Sequence, residues 1–288
     1  MAVFYAICCL AFSAGNDFVF KLFARKKRSR GIFATLIGIS WFAAMCVFEP
    51  LKWNNLPATI LWGSLSGFFS IAANLLLIEA MGLQSAGICS TIYRLNLVPT
   101  AFAAWLILGE SLTPEQWIGI GTAVIAVLCF MNPPEKEMGH RRARARIGNL
   151  LVVFAALLRA GMGIAYKYGF QHHADPAGVM MINALFWFIG GAAYVILRER
   201  KQISIDGHQV FYGVLSGFFV AAIVWFMAAA LQAGNAGVVL PIAQMSFPVT
   251  LILSVIFLKE SVTKLKLAGI GFGIVSVLLL SLPLHLFA

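Results

Sequence analysis

The sequence predicts an all-α integral membrane protein with ten transmembrane helices, built from two inverted five-helix repeats. Three observations lead to this prediction: apolar runs recur along the whole chain, the two halves of the chain resemble each other, and basic residues concentrate in alternate loops. Hydrophobic residues make up 61% of the 288 residues and charged residues only 11%, which is far from the composition of a soluble domain.

Ten apolar runs separated by short connections predict the spans. A helix of about 20 residues, rising about 1.5 Å per residue, crosses a hydrocarbon core about 30 Å thick. The predicted spans are Ala2–Phe23, Gly31–Phe48, Ala58–Glu79, Ala86–Leu108, Glu115–Met131, Ile147–Tyr168, Pro176–Leu197, Gln209–Gln232, Ala236–Leu258 and Lys264–Leu286. The first run has no basic leader and no small-residue cleavage site, which favours a retained helix over a signal peptide.

The two halves of the chain repeat at a nearly constant offset. Gly63–Phe69 reads GSLSGFF, and Gly213–Phe219, 150 residues later, reads GVLSGFF. Near the start of each half the offset is 146 residues, which aligns Trp41 with Trp187. Repetition at this length predicts two copies of one five-helix unit. We therefore expect a first repeat at residues 1–131, a basic cytoplasmic linker at 132–146 and a second repeat at 147–288.

The loop charges predict how the repeats are oriented. An odd number of spans in each copy forces the two copies into opposite orientations. The odd-numbered loops carry most of the basic residues, whereas the even-numbered loops carry essentially only Lys52. By the positive-inside rule the odd-numbered loops are cytoplasmic and both termini lie outside. Membrane orientation thus accounts for the net charge of +10, and no nucleic-acid partner is expected.

The fourth span contains an arginine and a proline. Arg94 lies eight residues from the nearer end of its span, where an ionised side chain costs at least about 2.5–3.5 kcal/mol and usually faces a protein interior or a wet cavity. Pro99 has no N–H to offer the carbonyl of Leu95, which we expect to be left free. A cation, the Asn96 amide and a free carbonyl so close together predict a binding site. The alternative is that Arg94 reaches the membrane interface and Pro99 merely kinks the helix.

Polar residues in other spans extend this predicted site. Arg159 lies in the middle of the sixth span and aligns with Ser13 at the offset of 146 residues. We expect Ser13, Asp17 and Arg159 to face one central space from opposite halves. The alternative for Asp17 is a pair with Lys21, four residues further along the same helix.

The ninth span contains a counterpart of Arg94. Gln244 aligns with Arg94 and precedes Pro248, which has no N–H for the Gln244 carbonyl. In the fourth span, Arg94 and Asn96 differ by about 200° around a regular helix, so both could face one ligand only if Pro99 distorts the helix. The candidate substrate-binding residues are Tyr93, Arg94, Asn96, Arg159 and Gln244, and the candidate coupling residues are Asp17 and Glu79.

A paired signature follows the fourth and ninth spans. Leu108–Thr113 reads LGESLT and Leu258–Thr263 reads LKESVT. With ten spans and a two-fold repeat, these signatures resemble the EamA-like branch of the drug/metabolite transporter superfamily over essentially the whole chain. We interpret Glu110 and Glu260, each at a helix start, as caps of the fifth and tenth spans rather than as catalytic groups.

The resemblance implies a transporter fold with a central cavity shared between the halves and alternating access. It also implies that the fourth and ninth spans are among those lining the cavity. Members of this type are commonly drawn with cytoplasmic termini, whereas the loop charges here indicate the reverse. The family handles amino acids, other metabolites, nucleotide sugars and drugs, so the resemblance alone does not name the substrate.

Motifs of other function classes do not occur. No GK[ST] sequence follows any of the glycine pairs, no set of residues has zinc-ligand spacing, and no nucleophile–base pair stands out. We therefore expect no enzymatic activity, no cofactor and no metal.

The predicted function is secondary transport of small organic metabolites across the cytoplasmic membrane by alternating access, as an exporter rather than an importer. Two arginines deep within spans predict an anionic or zwitterionic substrate, because a guanidinium group suits bidentate capture of carboxylate or phosphate. The alternatives are a lipid-carrier flippase and a non-transporting scaffold subunit of a membrane complex. The expected partners are the substrate and the lipid bilayer, with a possible homodimer.

Overall fold

The computed structural model describes residues 1–48, 55–108, 112–131, 139–199, 206–233 and 242–280, and its secondary structure within these ranges is helical, without strands. Its helices are α1 Ala2–Ala24, α2 Arg30–Phe48, α3 Leu56–Leu83, α4 Ala86–Arg94, α5 Leu97–Leu108, α6 Pro114–Met131, α7 Gly139–Gln171, α8 Pro176–Arg198, α9 Gly207–Ala233, α10 Ser246–Leu258 and α11 Lys264–Leu280.

Six of the helices in the described part of the chain are long and apolar enough to cross a membrane, namely most or all of α1, α2, α3, α7, α8 and α9. The expectation of an all-helical membrane protein is therefore confirmed, while the count of ten spans stays a prediction. Residues 234–241 of the predicted ninth span lie outside the described residues. Helix α7 starts before the predicted sixth span, because residues 139–146 of the predicted linker form its first turns.

Local signals explain where helices start. The side chain of Asn55 accepts a hydrogen bond from the Ala58 N–H at the start of α3. Asp175 does the same for the Gly178 N–H at the start of α8. In each case a proline follows within the first two helical positions, where its missing N–H costs nothing.

Glycines let helices of the two halves approach closely. A Cβ added to Gly63 would lie 2.9 Å from Ile182, and one added to Gly213 would lie 2.6 Å from Leu36. Gly213 follows Gly63 by 150 residues, and Ile182 follows Leu36 by 146 residues. The same contact is thus made twice with the halves exchanged, as a two-fold repeat requires. This pairing supports the repeat, whereas its inversion across the membrane stays a prediction.

Charged groups from several odd-numbered connections meet at one end of the helical bundle, which we call the polar end. It is defined by Lys21, Arg28, Arg30, Glu79, Glu199, Asp206 and Glu260. Glu199, at the end of α8, accepts hydrogen bonds from the Ser29 hydroxyl and from the Arg30 N–H, the latter at 2.9 Å. Arg28 pairs with Asp206 at 3.2 Å. The described parts of the first, third, seventh and ninth connections therefore share one end of the molecule.

Candidate functional site

The predicted fourth span is broken immediately after Arg94. Helix α4 ends at Arg94 and α5 begins at Leu97. The expectation of a free Leu95 carbonyl is wrong, because a tight turn brings the Val98 N–H within 3.0 Å of that oxygen. The Asn96 side chain donates to the Tyr93 carbonyl at 2.9 Å. Asn96 therefore closes the end of α4, and its role in substrate binding stays a prediction.

The second half breaks at the equivalent position. Residues 242–244 are helical, Met245 is a turn, and α10 starts at Ser246. Met245 follows Leu95 by 150 residues. Gln244 does not line the central cavity described next, although its buried side-chain oxygen has no hydrogen-bond partner among the described residues. Broken helices of this kind occur in membrane proteins where the backbone lies inside protein or along a cavity.

A polar cavity of about 120 Å³ lies inside the bundle. Four of the predicted site residues line it, namely Asp17, Tyr93, Arg94 and Arg159, whereas Asn96, Gln244 and Glu79 do not. Its other lining residues are Ser13, Asn16, Trp41, Ser70, Asn74, Met162, Tyr166, Met180, Trp187, Val220, Ile223 and Val224. Helices from both halves thus contribute to one enclosed space.

Asp17 pairs with Arg94 across the cavity. The distance between Asp17 Oδ2 and an Arg94 Nη atom is 3.5 Å, and both side chains are at least nine-tenths buried. The alternative pairing of Asp17 with Lys21 is wrong. The Lys21 ammonium instead donates to the Met81 and Gln84 carbonyls at 2.8 and 2.6 Å and lies 3.4 Å from Glu260. It turns away because the carbonyls that end α3 offer it acceptors.

Arg159 forms no ion pair within the part of the chain that the structure describes. Its guanidinium carbon lies 5.7 Å from the centre of the Tyr93 ring, in the range of a cation–π contact. Its other polar contact is with the Met162 sulfur at 3.7 Å. Two guanidinium groups and one carboxylate therefore leave the cavity with one positive charge in excess.

Several buried polar atoms of the cavity lining have no hydrogen-bond partner among the described residues: Asn16 Oδ1, Trp41 Nε1, Tyr93 Oη and Arg94 Nε. These four residues are each less than 10% exposed. A buried polar group without a partner costs about 1–3 kcal/mol, so such groups are rare unless something else binds them. Their concentration in one cavity is typical of a binding site.

Hydrogen bonds hold two aromatic walls of the cavity in place. The Trp187 indole donates to the Ser70 hydroxyl at 2.9 Å, and the Tyr166 hydroxyl donates to Asn183 at 3.2 Å. Trp41 and Trp187 meet edge to face, with ring centres 6.5 Å apart. Sequence reasoning aligned these two tryptophans as repeat equivalents but did not assign them to the site. A repeated large aromatic residue close to the axis between the halves was the available signal.

Two acidic residues have structural partners at the polar end. Glu79 pairs with Arg30 at 2.9 Å and accepts from the Tyr194 hydroxyl at 3.1 Å. Glu260 accepts from the Ala86 N–H at 3.2 Å. Glu260 therefore caps the start of α4 and not, as predicted, the tenth span. Glu110 lies outside the described residues.

A polar cavity with excess positive charge, enclosed by apolar helices from two halves, is the architecture of a multi-pass membrane carrier. The chain belongs to the EamA-like transporter family, whose model matches residues 1–132 and 146–282. This membership confirms the resemblance to the drug/metabolite transporter superfamily. It identifies a multi-pass membrane protein and points to a transporter rather than an enzyme.

The chain also resembles a second protein sequence and a solved structure, and neither resemblance indicates a function. The chain is 32% identical to an uncharacterized protein of Methanocaldococcus jannaschii over 89 residues, which is 31% of this chain and 65% of the length of that relative. The chain also aligns with a solved crystal structure over 96% of this chain and 95% of the other one, at a TM-score of 0.65 and 13% identity. Similarity at that identity shows the fold alone.

Proposed function

We propose that this protein is a secondary transporter that exports small organic metabolites, anionic or zwitterionic, across the cytoplasmic membrane by alternating access. The single observation that carries the proposal is the charge of the cavity. Arg94 is compensated by Asp17, while Arg159 lines the same space without a carboxylate among the described residues. An anionic group on the substrate would supply the missing charge.

The chemistry of arginine supports this choice of substrate. The guanidinium group of arginine holds its proton in proteins. It therefore stays cationic, and its planar donors match a carboxylate or phosphate bidentately. A cationic substrate would meet like charge in a space of low dielectric constant, where the repulsion is large.

The two broken helices support alternating access. The breaks at Leu95 and Met245 are related by the repeat offset, and α4 lies wholly within the bundle with all of its residues buried. Proton coupling, if it operates, would use Asp17 rather than Glu79. Asp17 lines the cavity, whereas Glu79 is bound to Arg30 and Tyr194 at the polar end.

We place the polar end in the cytoplasm and both termini outside, on the loop charges. A reporter that is active only in the cytoplasm, fused after Ala288, should stay inactive. Activity of that fusion would reverse the orientation.

Transport into liposomes by the purified protein tests the proposal. The probes are labelled butyrate as anion, 2-aminobutyrate as zwitterion and ethidium as lipophilic cation. Wild type should accumulate the anion or the zwitterion and not ethidium, and Arg159→Gln should abolish accumulation. Arg146→Gln is the matched control, since that arginine is exposed near the start of the same helix α7. Accumulation of ethidium, or full transport by Arg159→Gln, would refute the proposal.

A lipid-carrier flippase is the second candidate, because the molecule also has an apolar cavity that is larger than the polar one. It measures about 700 Å³ and lies between α3, α5 and α7, lined among others by Trp62, Phe69, Pro99, Leu157 and Gly161. An acyl or prenyl chain would fit such a lining. Transbilayer movement of a fluorescent phospholipid and of a fluorescent polyprenyl phosphate in the same liposomes would favour this candidate over the first.

A further inference from the structure

We propose that Asp17 sets the charge of the substrate, so that the cavity selects an organic anion with a single negative charge over dianions and zwitterions. This inference rests on the proposed transport of organic anions and narrows its substrate class. It assigns Asp17 a role in specificity that is separate from coupling.

The formal charges of the side chains that line the cavity sum to one positive unit. The charged side chains that line it are Asp17, Arg94 and Arg159. Asp17 lies 3.5 Å from Arg94 and is only 3% exposed, so water does little to screen that pair. The remaining charge is that of Arg159, and one carboxylate balances it.

A charge mismatch between substrate and cavity is costly. Two like charges about 4 Å apart repel each other several times more strongly at an effective dielectric constant of about 20 than in bulk water. A second negative charge on the substrate would find Arg94 already paired and would be repelled by Asp17. Selection against dianions therefore arises from a repulsive group, which is how specificity is often built.

The lining of the cavity favours an apolar group over an ammonium group on the rest of the substrate. A zwitterion would have to place its ammonium group beside Asn16 Oδ1, which has no hydrogen-bond partner among the described residues, or near Asp17. The Asp17 carboxylate is already paired with Arg94. The other walls include Trp41, Trp187 and Met180. They suit an apolar remainder better than a second ionic group. A cavity of about 120 Å³ is also close in size to one of about 150 Å³ that holds a single benzene ring, so the substrate is compact.

A matched series of compounds built on a four-carbon acid skeleton tests the charge selectivity. Butyrate carries one negative charge and succinate carries two. Monomethyl succinate carries one negative charge on nearly the same skeleton as succinate, and 2-aminobutyrate is a zwitterion with no net charge. Isothermal titration of the wild-type protein in detergent should show butyrate and monomethyl succinate binding at least about tenfold more tightly than succinate and 2-aminobutyrate. Equal binding of succinate and its monomethyl ester, or tighter binding of the zwitterion, would overturn the inference.

Variants then assign the selectivity to Asp17. Asp17→Asn raises the cavity charge by one, so succinate should gain at least about tenfold relative to butyrate. The double variant Asp17→Asn/Arg94→Gln restores the wild-type charge and should restore the preference for butyrate. An unchanged succinate-to-butyrate ratio in folded Asp17→Asn overturns the inference. If Asp17→Asn does not fold, the wild-type series decides, and the double variant must still prefer butyrate.

Failure of this inference can be told apart from failure of the proposed function. Transport of both butyrate and succinate at similar affinity would leave organic anion transport intact and remove only the charge selectivity. Absence of binding for all four compounds, combined with accumulation of ethidium, would refute both the charge selectivity and the proposed transport of organic anions.

Discussion

The central cavity and the polar end both contain buried or half-buried charges, but the two regions differ in how many of those charges have protein partners. In the cavity, Asp17 and Arg94 are nearly inaccessible, Arg159 forms no ion pair among the described residues, and several polar atoms are unpartnered. At the polar end, Lys21 meets two carbonyls and a carboxylate, and Glu199 meets a hydroxyl and backbone N–H groups. We attribute the unpartnered atoms of the cavity to ligand binding and the contacts of the polar end to structural attachment, although Glu260 Oε2 at the polar end also lacks a hydrogen-bond partner among the described residues.

The polar end also joins the two halves of the chain. Lys21 and Glu260 come from different halves, as do Ser29 and Glu199, and Arg28 and Asp206. At the opposite end, the Asp175 N–H donates to the Thr59 hydroxyl at 2.9 Å, and Trp62 packs on Tyr168. One end is thus held by charges and the other by neutral contacts.

The largest expected effect is on the buried pair of the cavity. Asp17→Asn leaves Arg94 without its carboxylate and should lower the free energy of unfolding by about 3–5 kcal/mol, because removing one partner of a buried ion pair exposes the full cost of burying the other. Glu79→Gln is the matched control at the polar end. Its pair with Arg30 is roughly a third exposed, so the loss should be about 1 kcal/mol or less.

Thermal and denaturant unfolding of both variants in detergent measures this difference. The double variant Asp17→Asn/Arg94→Gln should recover most of the lost stability, since no buried charge is then left alone. Equal losses for Asp17→Asn and Glu79→Gln would mean that the two regions do not differ as described. The same two variants report on coupling, because only Asp17→Asn should alter transport driven by a pH gradient.

An intermediate effect is expected for the lysine that joins α1, α3 and Glu260. Lys21→Met removes an ammonium group with two short hydrogen bonds and one ion pair, which should cost about 2 kcal/mol. The backbone from the end of α3 to the start of α4 should also exchange its amide hydrogens faster, since Glu260 loses its counter-charge. Lys27→Met, at an exposed position in the first connection, should change neither quantity. Unaltered exchange in Lys21→Met would contradict the assigned role.

The smallest expected effect is at the pair of Arg28 and Asp206, whose carboxylate side chain is about half exposed. The Gln209 N–H, and then Arg28, lower the pKa of Asp206 below its ordinary value. A lowered folded-state pKa stabilises the protein above the unfolded pKa of about 3.9, and this contribution is lost as the pH falls toward the folded pKa. Melting temperatures of wild type and Asp206→Asn should therefore differ slightly at pH 6 and converge below about pH 4. A difference that grows in acid would contradict this sign.

Local sequence patterns determined much of this protein. Hydropathy and length determined the helical membrane architecture, since each apolar run satisfies its own backbone hydrogen bonds as a helix. The internal repeat singled out Trp41 and Trp187. The cost of a charge at membrane depth singled out Arg94 and Arg159, both of which line the cavity.

Only the tertiary structure decided which groups meet. Asp17 could pair with Lys21 on its own helix or with Arg94 on another, and the packing of α1 against α3 and α4 brought Arg94 to it. Asn96 lies outside the cavity because the chain turns after Arg94. Glu260 caps α4 because connections from opposite halves meet at the polar end. Spacing along a chain reports neighbours within one helix, whereas pairing between helices depends on how distant segments pack together.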